Sequence, residues 1–133
     1  MSRYLLDTHV AVWWLIDDRH LSKEQKRVLA DIDGRGDRVY VSAMTILEIA
    51  VVYGLGNRKY PPKAEEIIRF IEEHRQIVIL PFSPGEGLEV AAMGPSLVDP
   101  MDRAIVATAR VHRLTLITSD ERIIKSKLVR IVS

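Results

Sequence analysis

Short runs of β-forming residues alternate with longer stretches of helical character, and this alternation restricts the possible folds of the chain more than any other feature. Residues 3–6, with Tyr4-Leu5-Leu6 at their centre, read as a first strand. Val39-Tyr40-Val41 reads as a second, and Ile77-Val78-Ile79-Leu80, closed by Pro81, as a third. Residues 114–118 form a fourth, and residues 128–132 are a candidate fifth. Between them, Thr8–Ile16 is an apolar helix. Ser22-Lys23-Glu24-Gln25 is a capping box, followed at helical spacing by Val28, Leu29 and Ile32 and stopped by Gly34 and Gly36. Ser42 can cap a helix that carries Glu48 and ends at Gly54, Gly56 and Asn57. After the break at Pro61-Pro62, residues 64–74 are amphipathic through Ile67, Ile68, Phe70 and Ile71. Ser83-Pro84 and Asp99-Pro100 each put proline at a first helical position, with a loop at residues 94–98 between those helices. The alternation predicts an α/β domain spanning residues 1–133 around a twisted, mainly parallel sheet flanked by helices. Right-handed crossovers then line the C-terminal strand ends along one edge, where such sheets bind ligands.

Composition narrows the chemistry. The 133 residues are 47% apolar and 28% charged, enough to bury a real core in one domain. The absence of cysteine excludes disulfide scaffolds, thiolate zinc sites and thiol catalysis, and fits a cytoplasmic location. The first residues lack the apolar core of a signal peptide, and no run is apolar enough to cross a membrane. Net charge is only +1. The last third is nevertheless basic, through Arg103, Arg110, Arg113, Arg122, Lys125, Lys127 and Arg130, which suits a phosphate-bearing partner or simply a solvated surface.

Four acids stand where a carboxylate is costly unless a cation or strong donors meet it. Asp7 and Asp120 follow the first and fourth strands directly. Glu48 interrupts the apolar run of residues 43–52, and Asp102 opens the run of residues 103–109. Each has an ordinary explanation. Asp7 and Asp120 can cap helices, Glu48 can pair with Arg103, and Asp102 can complement the helix dipole. Asp99 reads as the N-cap of its helix, which leaves Asp102 as the site acid. Taken jointly, the four suggest one shared partner, and a hard divalent cation such as Mg²⁺ or Mn²⁺ is the simplest. Asp7 and Asp102 are the expected direct ligands. Glu48 and Asp120 bind directly, through water, or position an attacking water. Thr8 and Ser42 lie beside the strand ends, where hydroxyls can hold water or phosphate oxygens, and the Thr118 and Ser119 hydroxyls can hydrogen-bond a carboxylate or a metal-bound water. Arg103 either contacts a phosphate or pairs with Glu48 or Asp99. His9, His20, His74 and His112 show no metal-ligand spacing, and of the adjacent Trp13 and Trp14 one is expected in the core and the other at an interface.

The segments Leu5-Leu6-Asp7-Thr8, Ser42-Ala43-Met44-Thr45-Ile46-Leu47-Glu48-Ile49, Asp99-Pro100-Met101-Asp102-Arg103-Ala104-Ile105-Val106-Ala107-Thr108-Ala109 and Ile117-Thr118-Ser119-Asp120, in this order, resemble the PIN-domain family. Within it the chain is similar to the VapC-type toxin ribonucleases of prokaryotic toxin–antitoxin pairs. The resemblance covers nearly the whole chain. It implies a metal-dependent endoribonuclease whose acidic quartet maps onto Asp7, Glu48, Asp102 and Asp120. It also implies a homodimer, an RNA substrate and a small antitoxin that covers the site. The chain departs from the pattern in carrying Leu97-Val98 where many relatives have a histidine. Two rivals remain at this stage. A phosphoacceptor receiver domain needs a paired acid near the first strand, where only Asp7 stands. A non-catalytic RNA- or partner-binding module with the same fold gives Glu48 no evident use.

Overall fold

The computed structural model describes residues 3–54 and 63–133. Five strands, β1 (Tyr4–Leu6), β2 (Val39–Ser42), β3 (Ile77–Leu80), β4 (Thr115–Ile117) and β5 (Ile131–Val132), form one sheet in the order β3-β2-β1-β4-β5. Every pairing is parallel. The helices are α1 (Thr8–Ile16), α2 (Lys23–Arg35), α3 (Ala43–Gly54), α4 (Ala64–Glu73), α5 (Pro84–Ala92), α6 (Pro100–His112) and α7 (Glu121–Ser126). The chain builds outward from β1 to β3 on one side, then returns to lay β4 against the other side of β1. The strand order therefore reverses between β1 and β4. The loops leaving those two strands diverge there, which opens a crevice at their C-terminal ends.

Adjacent residues of a strand face opposite sides of the sheet, and the core divides accordingly. Leu6, Val39, Val41 and Ile117 pack with Val10, Ala11, Leu29, Ile32, Ile49, Ile67 and Ile71 from α1 to α4. Leu5 and Leu116 pack on the other side with Ile105, Val106, Ala109 and Ile123 from α6 and α7. The result is a three-layer α/β/α arrangement.

Local signals fix the helix ends. Ser22 Oγ accepts from the Gln25 amide at 3.1 Å while Gln25 Oε1 accepts from the Ser22 amide at 2.9 Å. Ser22→Ala removes half of this reciprocal cap and is expected to lower stability by about 1 kcal/mol, read as a lower urea midpoint at unchanged slope. Gly34 does not stop α2, contrary to expectation; the helix runs to Arg35 and ends at Gly36, whose φ of 66° suits glycine. β4 and β5 are shorter than the runs that announce them, because Leu114 and Thr118 flank the ladder and only Ile131 and Val132 reach it. The expected stops at Gly56 and Asn57 and the break at Pro61-Pro62 lie outside the described residues. Among the described residues no helix is long and apolar enough to cross a membrane.

Candidate active site

The strand-order reversal places Asp7 and the Thr118–Asp120 turn side by side. The Asp7 amide donates to Ile117 O at 3.0 Å, so the ladder between β1 and β4 holds this residue up to the last rung. The residue is 6% exposed. Oδ1 accepts from the Thr8 amide at 2.8 Å and Oδ2 from Thr118 Oγ1 at 2.6 Å. Burial nevertheless pushes the Asp7 carboxyl above its ordinary value, against those two donors and His9, and the Glu48 charge adds to the rise. Each oxygen, with one donor, keeps acceptor capacity for a cation.

Asp102 sits in the first turn of α6, behind the cap formed by Asp99 Oδ1, which accepts from the Asp102 amide at 3.0 Å. Asp99 is thus a cap, as expected. The Asp102 carboxyl is pushed up to about 7, first by burial, then by the charges of Asp99 and Asp120, with Asp7 adding to the rise. Arg122 opposes it. Asp102 Oδ2 is buried without a hydrogen bond, although Arg122 Nη2 stands 3.3 Å away at ion-pair distance. Distance and hydrogen-bonding angle disagree here, and the raised carboxyl argues that this contact does not satisfy the oxygen. An under-satisfied buried carboxylate among other acids is a site for a hard cation.

Asp120 caps α7, and its carboxyl is held low by Arg122 through a hydrogen-bonded fork. Oδ1 accepts from the Arg122 amide at 2.9 Å and Oδ2 from Nη2 at 3.0 Å. Its own amide donates to Thr118 Oγ1, which orders the turn. Ser119 Oγ accepts from Gln25 Nε2 at 2.9 Å and anchors the turn to α2. Asp7, His9, Trp13, Ser119 and Asp120 line a cavity of about 250 Å³. A larger one, about 800 Å³, lies at the opposite edge of the sheet among Arg3, Arg110, Arg113 and Arg130. The smaller is the chemical candidate, because it brings Asp7 and Asp120 together at the strand-order reversal, with the charges of both acting on Asp102.

Several expectations need correction. Glu48 is half-buried rather than sealed in an apolar face: Leu47, Val51 and Val52 around it are 40–48% exposed. It is not paired with Arg103. That arginine faces away from the acids and donates to three backbone carbonyls, Gly94 and Leu97 from Nη1 at 2.6 and 2.5 Å and Val90 from Nη2 at 2.5 Å. It clamps the loop before α6 and forms no ion pair with Glu48 or Asp99. Thr8 and Ser42 are also buried and engaged, Thr8 Oγ1 with Thr45 Oγ1 at 3.1 Å and Ser42 Oγ with the Met44 amide at 3.0 Å. They brace the site from below rather than lining it. Neither tryptophan is fully buried. Trp13 stacks on His20 and Trp14 lies against His74, and both are half-buried against the same core cluster.

The acids are coupled electrostatically but not drawn to one point: among the described residues no three acidic or histidine side chains form a ready-made metal cage. Arg122 explains part of this, because its guanidinium stands between Asp102 and Asp120. Sequence reasoning counted it only as surface charge. The spacing Asp120-Glu121-Arg122 was the available signal, since Asp17-Asp18-Arg19 closes the same fork. His9 was also missed, and its spacing of two from Asp7 brings it to the cavity.

With this geometry in hand, comparison with known proteins is informative. Residues 4–127 match the PIN domain family. The chain is 29% identical over 127 residues to Ribonuclease VapC22 of Mycobacterium tuberculosis (strain ATCC 25618 / H37Rv), covering 92% of this chain and 91% of that protein. Among solved structures it is similar to FitAcB from Neisseria gonorrhoeae, at 26% identity and a TM-score of 0.68 over 98% of this chain and 96% of the other. It shares the fold of VapBC2 from Rickettsia felis, solved bound to a promoter DNA fragment, at 13% identity and a TM-score of 0.73 over 98% of each chain. The chain belongs to the PIN-domain family, which removes the receiver-domain reading.

Proposed function

From its membership in the PIN-domain family, we propose that this protein is a metal-dependent endoribonuclease that hydrolyses RNA phosphodiester bonds, and that it is the toxin of a type II toxin–antitoxin pair. The observation that carries the reading is Asp102: a buried carboxylate with an unsatisfied oxygen, raised first by burial and then by the charges of Asp99, Asp120 and Asp7. Likeness to a named ribonuclease over nearly the full length of both chains supports the substrate class. Likeness to toxin–antitoxin complexes supports a small protein antitoxin as partner. A homodimer acting in the cytoplasm, as one domain over residues 1–133, completes the proposal.

In this mechanism Asp7, Asp102, Asp120 and Glu48 hold Mg²⁺ or Mn²⁺, which when bound supplies charge neutralisation at the phosphate and an activated water. Thr118 and the Thr8 amide fix the Asp7 carboxylate, each binding one oxygen and leaving the other lone pairs turned to the site. Asp102 presents Oδ2, already stripped of water and of hydrogen bonds. Glu48, half-buried and near enough for its charge to act on Asp7, would orient the attacking water and accept its proton. Asp99 holds the first turn of α6 so that Asp102 keeps its aim, and Ser119 ties the Asp120 turn to α2.

The expected result is RNA cleavage with Mg²⁺ or Mn²⁺ that stops in chelator. Asp7→Asn should fold normally and cut at least about 10²-fold more slowly. Cleavage that persists unchanged in chelator sinks the metal mechanism. The Arg122 ion pairs favour one second reading, a non-catalytic module whose acids are neutralised internally. RNA retained equally with and without Mg²⁺, and never cut, would establish it.

A further inference from the structure

Arg122 is 68% exposed, yet its Nη2 lies 3.3 Å from Asp102 Oδ2 and 3.0 Å from Asp120 Oδ2. The two acids come from different elements, the first turn of α6 and the cap of α7. The fork onto Asp120 alone is a local habit of this chain, since Asp17 and Arg19 form the same one within a single turn. The reach to Asp102 is different. It sets one guanidinium nitrogen in the gap between two members of the acidic quartet, against the buried oxygen that lacks a hydrogen bond. A divalent ion coordinated by those same oxygens and a guanidinium cannot share that gap, because like charges at such separation repel strongly in a partly desolvated site. The arginine side chain is mostly exposed, so it can turn to solvent once its contacts with Asp120 and Asp102 break.

We propose that Arg122 is a built-in place-holder cation, which occupies the metal position in the metal-free protein and swings out when a divalent ion enters. The inference rests on the metal-nuclease reading and adds a competition to it. It accounts for the missing metal cage: the acids are spaced around a guanidinium and close further only when it departs. Apparent metal affinity is then reduced by the fraction of molecules in which the arm still blocks the site. If the arm is in place in about nine molecules of ten, removing it tightens binding about tenfold.

The test is a Mn²⁺ titration of the metal-free full chain by calorimetry, for wild type, Arg122→Gln and Arg122→Lys, with melting curves in chelator. Arg122→Gln should bind Mn²⁺ about tenfold more tightly, melt lower in chelator and gain more on saturation. Arg122→Lys keeps the charge and should stay near wild type. A measurement on unmutated protein covers the case of a misfolded variant: the assigned Arg122 Nε–Hε signal of ¹⁵N-labelled protein should move to a solvated position on Mg²⁺ saturation. Equal or weaker Mn²⁺ affinity in Arg122→Gln, or an unmoved Nε–Hε signal at saturation, overturns the place-holder while leaving the metal site intact. No Mn²⁺ binding by any of the three proteins overturns the metal reading and this inference together.

Discussion

Asp102→Asn is expected to abolish RNA cleavage, by roughly 10³-fold, and at the same time to stabilise the metal-free protein at pH 8. The two effects have one cause. The folded chain holds the Asp102 carboxyl at about 7, against an ordinary value of 3.8. Folding therefore favours its protonated form. The cost of the ionised group vanishes well below 3.8, where the group is protonated in both states, and is still small at pH 4. The cost grows as pH rises through the interval and is complete above about 7. Asparagine never pays it. The full difference of about three pH units corresponds to about 4 kcal/mol. Relaxation and water penetration around an ionised group reduce such a cost, so a gain on the order of 2 kcal/mol is the sounder expectation. Urea unfolding of both proteins in chelator, from pH 4 to pH 8, measures it. The stability difference should be near zero at pH 4 and widen to its maximum above pH 7. Asp7 is raised in the same sense and Asp120 is held low in the opposite one, but both are common to the two proteins and largely cancel in the difference. Saturating Mg²⁺ should reverse the order, because ligand binding stabilises only the chain that can hold it. A variant less stable than wild type at pH 8 in chelator would mean that Asp102 is a structural ion-pair partner of Arg122 and not a strained ligand.

The fold and the helix caps could be read from residues, and the difference between what could and could not is one of range. Caps at Ser22, Asp99 and Asp120 depend on three or four consecutive positions, so Ser-x-x-Gln, Asp-Pro and an acid after a strand suffice to place them. The strand runs predicted the parallel sheet because each carries its own β-forming residues. Asp7 and Asp120 could be assigned to one edge because a parallel sheet leaves no other place for residues that follow its strands. Arg103 and Arg122 were misjudged because their partners are remote. Nothing next to Arg103 shows that the carbonyls of Val90, Gly94 and Leu97 fold back onto it. Nothing next to Arg122 shows that α6 delivers Asp102 to it. Glu48 was misjudged for a related reason. An apolar run on a helix reads as buried all round, whereas α3 buries only Thr45 and Ile49 and turns Leu47, Val51 and Val52 outward.

The corrected role of Arg103 leads to the second large expectation: Arg103→Met should cost about 2–4 kcal/mol of stability while leaving the chemistry of the folded protein nearly intact. The guanidinium donates three charge-assisted hydrogen bonds to Val90, Gly94 and Leu97. Methionine keeps most of the apolar stem but leaves three carbonyls without their donor. Leu97 is 3% exposed and Met93 7%, so the loop cannot simply turn outward to hydrate these groups without pulling apolar side chains from the core. The same loop leads into the Asp99 cap of α6. Some loosening of Asp102 follows, so a loss of less than about tenfold in kcat/KM is expected at a temperature where the variant is folded. Its dependence on salt should match wild type, because no phosphate contact has been removed. Hydrogen exchange should quicken across residues 90–98 and not at β1 or β4. A well-folded Arg103→Met protein that loses as much activity as Asp102→Asn, with a shallower salt dependence, would return Arg103 to the phosphate. The acids would then need a substrate path running past the loop before α6 rather than over the Asp7–Asp120 cavity.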